Sequence, residues 1–145
     1  MTTVEFSFAR ADDEKAIKGL LLDCDLPVED VREHLGNFLL ARVGGKLAGA
    51  VGLQVLGSAG LLRSLAVKKA YRERGIGEAL CRSIELHAHN QGVRKLFLLT
   101  TKAQNFFSRK KFSRIERAKA PREIRATLEF RKLCPESATV MSKEL

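Results

Sequence analysis

Arg72-Glu73-Arg74-Gly75-Ile76-Gly77 decides how this chain is read. The stretch follows an apolar run, residues 61–67, that reads as a buried strand. It precedes residues 78–86, which read as a helix. A strand, a short basic turn with two glycines and a helix start together make an anion cradle. Glycine permits backbone angles and close approaches that other residues resist. The helix start adds unpaired N–H groups and the positive end of the dipole. Such an arrangement holds a phosphate or pyrophosphate, so a phosphorylated ligand is expected at residues 72–78. Read alone, the same glycines would also serve merely to start a helix and pack it on a sheet.

Working outward, the periodicities give an ordered series of elements. Val4, Phe6 and Phe8 alternate with Glu5 and Ser7, the period of a strand. Asp12-Asp13-Glu14 opens a helix that carries Ile17, Leu20 and Leu21, and Asp23 to Pro27 breaks it. Residues 28–35 are expected as a second short helix. Residues 38–43 and 46–56 form a hairpin about Gly44-Gly45. Ile76, Leu80, Ile84 and Ala88 give the next helix an apolar stripe, and Gly92 ends it. Leu96 to Leu99 is a continuous apolar run suited to a central strand. The strand–helix–strand order makes a right-handed crossover. A helix at 103–110, a strand at 112–116, a helical turn at 121–126 and a last strand at 137–141 complete the chain. The result is an α/β domain with a mixed sheet, antiparallel first and then crossed over.

The 145 residues correspond to one domain, 1–145, with 45% apolar and 30% charged residues, which excludes wholesale disorder. No apolar run reaches the roughly 18 residues of a membrane span, and no signal peptide is evident in the first residues. A cytoplasmic protein with no membrane partner is expected. Cys24, Cys81 and Cys134 are odd in number and widely spaced, which is neither a disulfide framework nor a zinc motif. No metal is expected from spacing. The net charge of +9 suits anionic partners. A nucleic-acid partner is not expected, because Trp is absent, Tyr71 is the only tyrosine and no reading element is recognisable.

With Arg63-Ser64-Leu65-Ala66-Val67 before it, the loop resembles the motif of the GNAT family of N-acetyltransferases: Arg, two residues, Gly, one residue, Gly. Ala103-Gln104-Asn105-Phe106-Phe107-Ser108-Arg109-Lys110-Lys111-Phe112 resembles the family's second marker, and the likeness covers nearly the whole chain. The resemblance implies a single-domain fold with a splayed strand pair and flanking helices. It implies acetyl-coenzyme A as cosubstrate and an amine as acetyl acceptor. On it, Arg72, Glu73, Arg74, Gly75, Ile76, Gly77 and Glu78 hold the pyrophosphate, chiefly through backbone N–H groups. Leu65, Ala66 and Val67 hold the pantetheine arm through backbone, and Phe106 joins the cofactor set. Leu62-Arg63-Ser64-Leu65, Leu99-Thr100-Thr101 and residues 127–138 look like the acetyltransferases of bacterial arsenic-resistance operons. These are similar in turn to amino-acid acetyltransferases, which implies a small amino acid or a toxic analogue as acceptor. The family often dimerises, so a homodimer is compatible with the resemblance.

The two positions where relatives often carry a Glu base and a Tyr acid are Leu61 and Phe107, and neither can move a proton. Thr100 replaces an Asn frequent just before the second marker, and Lys111 replaces a helix-ending Gly. A left-handed lysine there would cost about 1–2 kcal/mol. Glu129 is a replacement candidate for the base and Cys134, before Pro135, a catalytic candidate near the thioester, although a solvated glutamate and a structural cysteine are the plainer expectations. Arg63 and Ser64 are candidate acceptor-binding residues, since an arginine fork suits a carboxylate. Strand alternation lets only one of them face the acceptor. His34, His87 and His89 have no nearby partner in sequence, and the last two are expected on the outer side of a helix. Cys24 with Cys134 would make a thiol site for a soft ion. An acetyltransferase for peptides and a coenzyme A-binding sensor without turnover are the competing readings.

Overall fold

The computed structural model describes residues 3–145. Its strands are β1 (Val4–Phe8), β2 (Phe38–Val43), β3 (Lys46–Leu56), β4 (Ala59–Val67), β5 (Lys95–Thr100), β6 (Ser113–Ile115) and β7 (Thr139–Glu144). The helices are α1 (Glu14–Asp23), α2 (Ile76–Asn90), α3 (Gln104–Arg109) and α4 (Arg122–Arg125). The sheet has seven strands in the order β1-β2-β3-β4-β5-β7-β6. β4 and β5 run parallel over Ala59–Leu61 and Lys95–Phe97, while the β1–β2, β2–β3, β5–β7 and β6–β7 pairs are antiparallel. This is the mixed α/β sheet expected from the hairpin and the crossover.

The chain divides into two compact units, one running to Leu53 and resuming at Ser64–His87, the other comprising Gln54–Arg63 and Ala88–Leu145. In the first, the helical spacing of α1 buries Ile17, Leu20 and Leu21 against Val31, Phe38 and Leu40. α2 lies close on β3 because Gly49 has no side chain. A Cβ there would stand 3.1 Å from Ala66 O, 3.1 Å from Leu80 Cδ1 and 3.3 Å from Ile76 Cγ2. In the second unit, Leu61, Phe97 and Val140 pack with Ala120, Ile124 and Phe130.

Three helices end in one hydrogen-bonding pattern, in which the first residue past the cap is left-handed and the next N–H reaches back five residues. After α1, Asp25 has φ 59° and Leu26 N–H donates to Leu21 O. After α2, Gly92 has φ 89° and Val93 N–H donates to Ala88 O. After α3, Lys111 has φ 76° and Phe112 N–H donates to Phe107 O.

Some expectations shift. Residues 28–35 do not make an α-helix. Val31 N–H and His34 N–H each bond three residues back, to Val28 O and Val31 O, and the regular part is a 3-10 helix at Arg32–Asn37. The last strand starts at Thr139 and runs to Glu144, because its register with β5 continues from Thr100↔Thr139 to Lys95↔Glu144. Glu129–Leu133 forms a π-helical turn, which no local pattern in the sequence marks.

Candidate cofactor and active site

The glycine loop lies between β4 and α2. β4 ends at Val67, and Lys68 N–H donates to Ala48 O at 2.8 Å, docking the strand end on β3. A 3-10 turn at Lys69–Tyr71 leads to the loop. Glu73 (φ 65°) and Gly75 (φ 79°) are both left-handed. Ala79 N–H donates to Gly75 O at 3.0 Å, so the N–H groups before Ala79 precede the helix's own ladder. Ile76 is 3% exposed and anchors the helix start, whereas residues 72–75 are exposed. A Cβ on Gly75 would meet nothing within 4 Å, so the space over the loop is open and the requirement for glycine there is conformational. An exposed, backbone-lined turn before a fifteen-residue helix fits a pyrophosphate.

The loop's arginines have local contacts. Arg72 Nε donates to Val67 O at 2.9 Å, and its Nη2 lies 3.6 Å from Cys24 Sγ. Arg74 covers the Tyr71 ring at 5.5 Å. On β4, Leu65 and Val67 are half-buried and Ala66 is buried.

Arg63 and Ser64 do not alternate as a regular strand would. Both are buried, at 2% and 7% exposure, in a strand whose residues 59–64 are all buried, and Ser64 takes a left-handed φ of 58° in mid-strand. Arg63 Nη2 lies 3.6 Å from Glu129 Oε1. Glu129 is 3% exposed, so the expectation of a solvated helical glutamate is wrong. The π-helical turn carries it inward, beside buried Phe130. Arg63 likewise is a buried, ion-paired arginine. The structure therefore joins one candidate acceptor residue to one candidate proton-transfer residue. Cys134 caps the π-helical turn, its N–H donating to Glu129 O at 3.0 Å.

Leu61 (0% exposed) belongs to the second unit's core, and Phe107 (5%) meets Phe106 at 5.1 Å and Phe112 at 5.6 Å, both edge-on. The ring at position 107 thus supports the end of α3. Thr100 Oγ1 accepts from Ala103 N–H at 2.9 Å, which gives this residue a turn-forming role. Lys110 Nζ stands 5.7 Å over Phe106, a half-buried ring. His87 is not on an outer face. Its ring lies 4.6 Å from that of Phe8, with Nε2 3.4 Å from Asn37 Oδ1. Cys24 belongs to the first unit and Cys134 to the second, and no group of three metal-ligating side chains occurs among the described residues. A cavity of about 480 Å³ lies in the second unit, lined by Arg114, Glu116, Arg117, Glu136 and Thr139 among others. None of the expected cofactor residues lines it.

Comparison with known proteins bears on this geometry. The sequence model of the acetyltransferase (GNAT) family matches residues 4–114. An uncharacterized N-acetyltransferase of Chlorobaculum tepidum is 33% identical over 99 residues, 67% of this chain and 63% of that protein. An amino-acid acetyltransferase of Pseudomonas fluorescens is 42% identical over 66 residues, 44% of this chain and 15% of that protein. The chain therefore spans less than two thirds of either relative. Among solved structures, N-acetylglutamate synthase from Neisseria gonorrhoeae, complexed with coenzyme A and N-acetyl-glutamate, has a TM-score of 0.87 at 21% identity, covering 100% of this chain and 36% of that one. A Mycobacterium tuberculosis protein in complex with CoA and NLQ has a TM-score of 0.82 at 25% identity, covering 97% of this chain and 99% of that one.

Proposed function

Because the chain belongs to the acetyltransferase (GNAT) family, we propose that it moves the acetyl group of acetyl-coenzyme A to the amine of a small amino acid or a toxic amino-acid analogue. The observation that carries this reading is the left-handed pair Glu73 and Gly75 at the start of α2. In this reading residues 72–78 take the pyrophosphate on backbone N–H groups, Leu65 to Val67 take the pantetheine arm, and Phe106 lines the cofactor. The whole chain, 1–145, acts as one acetyltransferase domain in the cytoplasm. The acceptor class rests on the amino-acid acetyltransferases among its relatives and on a likeness to arsenic-operon enzymes at residues 127–138. A role in arsenic resistance follows from that likeness.

The cosubstrate supplies an acetyl group already activated as a thioester. An amine near its reference pKa is mostly protonated at pH 7, so a proton must leave before it attacks. Leu61 and Phe107 cannot take part. Glu129 is the candidate base, Cys134 a catalytic candidate near the thioester, and Arg63 and Ser64 are candidates for binding the acceptor, with Arg63 suited to its carboxylate. The buried Arg63–Glu129 contact supports treating those two as one unit.

Thiol release, followed over a panel of amino acids and acidic peptides, tests the proposal. Turnover on amino acids is the expected result. Turnover on peptides alone would favour a peptide acetyltransferase, and cofactor binding without any turnover would favour a sensor. Failure to bind acetyl-coenzyme A would end all three readings.

A further inference from the structure

The formal charge of +9 is unevenly placed. The second unit holds fifteen Lys and Arg against five Asp and Glu, a net of +10, and the first holds eleven against twelve, a net of −1. Within the second unit the charge concentrates on residues 119–132. There Ala120, Ile124 and Phe130 turn inward, at 2%, 0% and 7% exposure, and Lys119, Arg122, Arg125, Arg131 and Lys132 are exposed. Glu123 is the only exposed acid in that stretch. The segment is braced from beneath. Arg117 stands 4.7 Å over the Phe130 ring and donates to the carbonyls of Pro135, Glu136 and Ala138. Arg125 Nε donates to Ala120 O at 2.9 Å. Val140 of β7 faces the same core as Ile124, whereas Lys143, three residues on, reaches Phe112 at 5.7 Å. The basic cap therefore lies across β7 from the Phe107–Phe112 pair at the end of α3.

We propose that this helical cap is a docking surface for an acidic polypeptide segment, independent of the acetyl-transfer reading. Five outward cations in fourteen residues repel one another, although Arg125 also braces the segment through Ala120 O. An opposite charge relieves that repulsion, and arginine forks pair bidentately with carboxylates. Single-stranded nucleic acid is disfavoured, because such binding uses exposed aromatic platforms and Phe130 is turned inward. Duplex readers insert a helix or ribbon into a groove, and α4 has only four residues.

Fluorescence anisotropy with a labelled oligoglutamate, an oligolysine and a short DNA duplex, at low and physiological salt, tests this. The intact chain should bind oligoglutamate in preference to the duplex, and more weakly as salt rises. The triple change Arg122→Glu, Arg125→Glu, Arg131→Glu should weaken that binding by at least about tenfold, mostly through association. Lys15→Glu, Lys46→Glu, Arg82→Glu alters net charge equally on exposed residues of the first unit and should leave binding within about twofold. Thermal unfolding checks both proteins. If the first triple variant does not fold, the glutamine triple at the same positions replaces it, with a smaller loss expected. Equal effects of the two sets of changes, no binding by the intact chain, or a duplex bound as tightly as oligoglutamate would each overturn the proposal.

Discussion

Replacing Lys111 with glycine should stabilise this protein relative to replacing it with alanine. Lys111 is exposed and holds φ 76° at the end of α3. Its surroundings leave that angle no freedom. Lys111 N–H donates to Ser108 O at 3.1 Å, Phe112 N–H donates to Phe107 O at 3.0 Å, and the two rings meet at 5.6 Å. A left-handed residue with a Cβ costs about 1–2 kcal/mol. Glycine escapes this but gives back about 0.4–1 kcal/mol through a freer unfolded chain. Both replacements lose any favourable contact of the lysine charge with the helix end, worth about 0.3–1 kcal/mol. The comparison of glycine with alanine isolates the backbone effect, which should be about 1 kcal/mol in favour of glycine. Urea unfolding reads it as a higher midpoint at unchanged slope, and thermal unfolding as about 3 °C. An alanine variant as stable as the glycine variant would refute the argument that position 111 is strained.

Other consequences can be checked separately. Glu129→Ala removes the carboxylate paired with a buried guanidinium and should cost about 3–5 kcal/mol in urea unfolding, with Arg63→Met added to Glu129→Leu recovering most of it. If the single and double changes are equally destabilising, the pair is not the cause. Gly49→Val pushes against Ala66 O and α2 and should cost about 1–3 kcal/mol. It should also weaken acetyl-coenzyme A binding in calorimetry, whereas unchanged affinity would separate helix seating from the loop. The Arg10 N–H holds the Asp13 carboxyl below its ordinary 3.8 against the opposing effect of burial, with Arg42 assisting. That contribution is present above the unfolded value and lost as pH falls through the folded one. Asp13→Asn should therefore be less stable at neutral pH, with the gap closing in acid below 3.8; a gap independent of pH would contradict it. Gly75→Glu forces a side chain into a left-handed turn and brings a carboxylate to the pyrophosphate, so calorimetry should show no cofactor binding.

The elements whose information is local were legible. Helical spacing located α1 and α2, the Gly44-Gly45 turn located the hairpin, and the glycine loop was found at its correct place between β4 and α2. What could not be read depends on distant partners. Glu129 looks like a surface residue in sequence, since its neighbours Arg131 and Lys132 are charged. Its burial comes from a π-helical turn and from Arg63, sixty-six positions away. Ser64 breaks strand alternation without the glycine that usually marks such a site. The helical spacing of His87 puts it outward, but β1 and Asn37 decide its surroundings. The polar end of β7 carries no apolar signal, and the ladder with β5 holds it in place.

In the proposed pyrophosphate loop, the role of Arg72 is indirect. Its guanidinium points back to Val67 O, with Cys24 Sγ beside it. One side chain thereby links the end of β4, the turn itself and the C-cap of α1. The turn is shaped before any ligand arrives, so less disorder has to be removed on binding. Lysine at this position would preserve the charge while losing the planar fork. The resulting protein would meet its ligand with the same electrostatics and a looser frame, and the difference between them would measure preorganisation alone.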